Sequence, residues 1–70
     1  HKHIKGYRDL SQEEIGLMNE GKELAVKVGE WVSKLENMEG LDKRWVAVGK
    51  THAQQGFMAL IRGIAQPTTF

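Results

Sequence analysis

The sequence predicts an all-α fold: an antiparallel helical hairpin with a short N-terminal arm. Three observations predict it. A capping box, Ser11-Gln12-Glu13-Glu14, opens a long stretch with apolar residues at heptad spacing. A second stretch runs from Asp42, an N-cap candidate, to Pro67, a helix stop, with an apolar band at helical period. Between the two lies a linker of about three residues, short enough to make the helices antiparallel neighbours.

Residues 1–10 form the arm, which contains Gly6 and lacks a sustained period. His1 and His3 are consistent with a tag remnant and are left out of the functional argument. Helix one is expected over 12–38. Its series 17, 21, 24, 28, 31, 35, 38 alternates steps of four and three, a heptad seam of Leu17, Gly21, Leu24, Val28, Trp31, Leu35 and Met38. Ile15, Met18, Ala25 and Val32 widen the stripe. Gly40 suits the C′ position. Helix two is expected over 42–66. Gly49, Gly56 and Gly63 recur every seven residues and share a small-residue stripe with His52 and Ala59. Each glycine costs roughly 1 kcal/mol of helix propensity, so the stripe points to close approach rather than local stability. Val46, Ala53, Phe57, Leu60, Ile61 and Ile64 make a bulky second face. Residues 67–70 are a tail. In this register Arg62 falls near Met18, and Lys22 near Met58.

Seventy residues fit one small domain, whose single core is marginal without a staple or a partner. There are no cysteines, so neither a disulfide framework nor a thiolate metal site is available. Oligomerisation is left as the source of further burial. Ten Lys and Arg against nine Asp and Glu give a net charge of +1, without the basic excess of a DNA or RNA polymer binder. No apolar run approaches the ~20 residues of a membrane span. The start, HKHIKGYRD, is polar and carries no signal-peptide pattern.

Catalysis is poorly supported. Ser11 is explained as a cap, and His52 has no nucleophile or orienting carboxylate placed beside it. The plainer reading of His52 as a polar contact between helices or subunits is favoured. No metal site is expected. Trp31 and Trp45 read as packing near the loop end, each indole finding a partner at the edge. Lys43-Arg44 opposes the dipole at a helix N-terminus and reads as a solvated face. The open end is richer. Tyr7 offers a stacking face, and Arg8, Lys22 and Arg62 offer cations for phosphates. Gly21 beside Lys22 would let a ligand approach the backbone. The alternative is that Tyr7 packs under the arm and the cations are solvated or paired with Glu13, Glu14 and Glu23. Composition and spacing alone favour that alternative.

IKGYRDLS, helix one and RWVAVGKTHAQQGFMALIRGIAQP together resemble the small helical-hairpin family of bacteriophage anti-CBASS proteins. These are sponges that sequester cyclic-oligonucleotide signals, and the same hairpin resembles part of the phage sponges that counter Thoeris defence. The resemblance covers residues 4–70. It implies a homohexamer that holds cyclic dinucleotides, such as 3′,3′-cyclic GMP-AMP, between protomers without cleaving them. In some members cyclic trinucleotides bind at separate sites. The family's stacking tyrosine falls on Tyr7 and its phosphate-facing lysine on Lys22, within a cyclic-dinucleotide set of Tyr7, Arg8, Gly21 and Lys22. Arg62 matches a basic position that serves the phosphates of the trinucleotide. Glu20, Glu23 and Leu24 stand where members can carry small or hydroxyl residues for that second ligand. The implied setting is the cytoplasm of the infected bacterial host, with no cofactor. The rival expectation is an oligomeric helical adaptor that takes no small ligand.

Overall fold

The computed structural model describes residues 8–70, in which two helices pack as an all-α hairpin: α1 (Gln12–Glu36) and α2 (Lys43–Ala65). Tyr7, His1 and His3 lie outside the described residues.

The capping box starts α1. Ser11 Oγ accepts from the Glu14 N–H at 3.1 Å, and Glu14 Oε1 accepts from the Ser11 N–H at 2.8 Å. The helix stops at Glu36, two residues before the expected 38. Asn37 is the cap, and its side-chain amide donates back to the Ser33 carbonyl at 2.8 Å, offering the backbone an end rather than another turn. Gly40 is therefore not at C′. It sits inside the connecting turn at φ +86°, a left-handed conformation that glycine adopts without a Cβ clash. The linker spans 37–42, longer than the expected three residues. Asp42 caps α2, its Oδ1 accepting from the Arg44 and Trp45 N–H groups at 3.1 and 3.2 Å. At the far end Gln66 turns left-handed (φ 45°) just before Pro67.

The packed face of α1 differs from the expected seam. Met18, Gly21, Ala25, Val28, Val32 and Leu35 are covered by α2, with Val32 the most buried at 9% exposure. Leu17, Leu24, Trp31 and Met38, expected in the seam, are exposed. The helical stripe is wide enough to hold two adjacent heptad series, and the series with the smaller residues faces α2. Gly21, Val28 and Leu35 of the expected seam do face α2, and at Gly21 a Cβ would stand 3.2 Å from Ile61 Cδ1, so the glycine lets the helices close up. On α2 the partly covered residues include Val46, Ala53, Phe57, Ile61 and Ile64, whereas Leu60 is exposed. The glycines at 49, 56 and 63 meet nothing within 4 Å. Trp31 and Trp45 are 60% and 63% exposed rather than packed within the chain. Val32 is the only buried apolar side chain among the described residues.

Candidate functional site

The open end of the hairpin is assembled by Arg8. Its Nε donates to the Ala65 carbonyl at 3.1 Å and its Nη2 to the Ile64 carbonyl at 3.1 Å. These carbonyls belong to the last turn of α2, where no intrahelical donor remains. Nη1 donates to the Asp9 carbonyl and to Glu14 Oε1, both at 3.3 Å, and Nη2 pairs with Glu14 Oε2. A guanidinium has five N–H donors, and these bonds engage all of them. The cation also complements the negative end of the α2 dipole, as Glu14 complements the positive end of α1. The Arg8 hydrogen bond, followed by the Ser11 N–H, holds the Glu14 carboxyl down at about 2, well below its ordinary 4.5. Hydrogen bonding to Glu14 in turn raises the Arg8 guanidinium.

Beside this clamp lies an open cleft of about 420 Å³, floored by Met18, Phe57, Met58 and Ile61 and edged by Arg62, Ala65 and Pro67. Met18 and Arg62 thus face each other as the register predicted. One Arg62 N–H is donated to the Thr69 carbonyl at 3.1 Å, tethering the tail. Lys22 stands one turn beyond Met18 on α1, exposed, and among the described residues its amine has no partner. It lines neither this cleft nor the larger groove of about 630 Å³ between Val28, Val32, Glu36, Lys50, Ala53 and Phe57.

Of the residues singled out from the sequence, Arg8 and Arg62 come together at the open end, and Lys22 remains available to an anion. Gly21 gives its missing side chain to Ile61 rather than to an open approach. Arg8 is engaged with Glu14, the pairing raised as the alternative to phosphate binding. His52 is exposed on the open small-residue stripe. The apolar floor of Phe57 and Met58 was not singled out for a site, because such residues on a helix read first as core. Among the described residues no cluster of His, Asp or Glu could hold a metal ion, and no helix is long and apolar enough to cross a membrane.

The chain matches the family model described as Acb2/Tad1, hairpin domain, over residues 1–65. It is similar to Anti-CBASS protein 2 of Pseudomonas phage JBD67, with 34% identity in a match that covers 96% of this chain and 94% of that protein.

Proposed function

The chain belongs to the Acb2/Tad1 hairpin family, and on that premise we propose that it is a non-catalytic anti-CBASS sponge that sequesters cyclic dinucleotides. The observation that carries the reading is the match of the whole hairpin, arm included, to that family. The structure supports it physically. A hairpin that buries one apolar side chain and exposes Leu17, Leu24, Trp31 and Met38 at seven-residue intervals has faces to give to other protomers. Pockets shared between protomers, in a hexamer, supply the enclosure one hairpin lacks. In this reading Tyr7 stacks on a base and Lys22, unpartnered within the described chain, faces phosphate. Arg62 serves a cyclic trinucleotide at a second site, on release of Thr69. Ligand is held intact in the cytoplasm of the infected host, so that the defence effector is never triggered.

The test is a calorimetric titration with 3′,3′-cyclic GMP-AMP on protein of measured oligomeric mass. Submicromolar binding near one ligand per two chains, with intact nucleotide recovered after denaturation, supports the sponge. Absence of heat with this ligand, other cyclic dinucleotides and cyclic trinucleotides would sink it. The exposed heptad stripe on α1 then favours an oligomeric helical adaptor, whose melting temperature no small nucleotide shifts.

A further inference from the structure

The residue next to Tyr7 is the most heavily bonded side chain of the described hairpin. Arg8 joins three parts of the chain: the arm, through the Asp9 carbonyl; the start of α1, through Glu14; and the end of α2, through the carbonyls of Ile64 and Ala65. Ala65 also edges the open-end cleft, so the clamp and the cleft share a wall. Glu14 is fixed from the other side by the Ser11 N–H, so the carboxylate that grips Arg8 cannot swing away without undoing the α1 cap. A phosphate approaching Arg8 would have to displace a carboxylate that stays ionised throughout the neutral range.

We propose that Arg8 is a positioning residue for the ligand site: it does not contact phosphate but fixes the point at which the arm leaves the hairpin, and so sets where Tyr7 can reach. This rests on the cyclic-dinucleotide reading above. The physical reason is donor geometry. A guanidinium presents its five N–H groups in a rigid planar fork, which suits it to hold two helix carbonyls and a carboxylate at once. A lysine ammonium is a point charge on a flexible stem and cannot span the same acceptors. Tyr7 is joined to Arg8 by a single peptide unit, so the clamp sets the point of the hairpin from which Tyr7 departs.

The experiment is a double-mutant cycle read by titration with 3′,3′-cyclic GMP-AMP. Arg8→Lys is expected to raise Kd by about tenfold, within the range of a lost base stack. In a Tyr7→Ala background the same change should add no more than about twofold, because the group it positions is gone. In a Lys22→Ala background the full loss should persist. The salt dependence of Kd should be unchanged in Arg8→Lys and Arg8→Ala, since neither removes a phosphate contact. Should Arg8→Lys fail to fold by circular dichroism, Glu14→Gln removes the ion pair while leaving the α2 carbonyls in place, and should show the same dependence on Tyr7.

Wild-type affinity in the folded Arg8→Lys variant overturns the proposal. So does an equal loss in all three backgrounds, which marks a merely structural role. A reduced salt slope in Arg8→Ala overturns it in favour of direct phosphate contact. These results leave the sponge reading standing. A wild-type chain that binds no cyclic dinucleotide overturns this proposal, and one that binds no cyclic trinucleotide either removes the sponge reading as well.

Discussion

The two ends of the hairpin solve one electrostatic problem in two ways. A helix C-terminus leaves carbonyls without intrahelical donors and carries partial negative charge. At the loop end the donors are near in sequence: Lys43 Nζ reaches the Glu36 carbonyl at 3.0 Å, and the Asn37 amide reaches Ser33. Lys43, which opposes the dipole of its own helix, thereby serves the end of the other. At the open end the donor is Arg8, separated from its carbonyls by 56 and 57 positions. The chain itself joins the helices at the loop, whereas side chains alone join them at the open end. One end is closed by connectivity, and the other by bonds that a mutation can remove singly. A site built at the open end inherits that adjustability.

The comparison breaks most sharply through ligand binding. Tyr7→Ala should weaken 3′,3′-cyclic GMP-AMP by roughly 1–3 kcal/mol in a calorimetric titration. Lys43→Ala, at the loop, should leave Kd unchanged. Equal losses at both ends would remove the functional distinction between them. Lys22→Ala should weaken binding more at low salt than at high salt, and a salt-independent loss would argue against a phosphate contact.

Acid sharpens the comparison next. The Glu14 carboxyl sits at about 2 in the fold against an ordinary 4.5, chiefly through Arg8. A depressed carboxyl contributes its stability fully above the ordinary value and loses it as pH falls from 4.5 toward 2. Thermal melts across that window should therefore decline, and decline less in Glu14→Gln. Parallel profiles for the two proteins would show that the clamp contributes nothing to stability.

The loop end answers with smaller effects. Asp42→Ala removes the acceptor for two N–H groups and should cost about 1 kcal/mol in denaturant unfolding. Gly40→Ala places a Cβ at φ +86° and should cost roughly 1 kcal/mol. Lys50→Ala breaks the 3.1 Å pair with Glu36, both partners well exposed, and should cost ~0.2–1 kcal/mol. A larger loss at Lys50 than at Asp42 would invert the ranking and point to a role for Lys50 beyond this pair.

Local chemistry was readable from the chain, and orientation was not. Ser11 with Glu14, Asp42 and Pro67 each act through neighbours within a few residues, so their spacing identified both helix starts and the final stop. The opposition of Met18 and Arg62 followed from the hairpin itself. The packed face of α1 did not follow, because residues 17, 24 and 31 and residues 18, 25 and 32 lie about 100° apart on the same apolar stripe. Only the partner helix decides between them. The early stop at Glu36 depended on the Asn37 side chain turning back to Ser33. Arg8 was legible as a cation but not as a clamp, since two of its acceptors are backbone carbonyls at the other end of the sequence. A carbonyl leaves no trace in a pattern of side chains.

A hairpin with one buried apolar side chain among its described residues, Val32, has a thermodynamic signature of its own. The heat-capacity change of unfolding tracks apolar surface exposed to water, so a separated hairpin should melt broadly and with little curvature in its stability. In the hexamer proposed above, covering Leu17, Leu24, Trp31 and Met38 with other copies would add heat capacity and make the midpoint rise with protein concentration. For the proposed hexamer dilution then acts as a denaturant, and the fold of each chain becomes a property of the population that contains it.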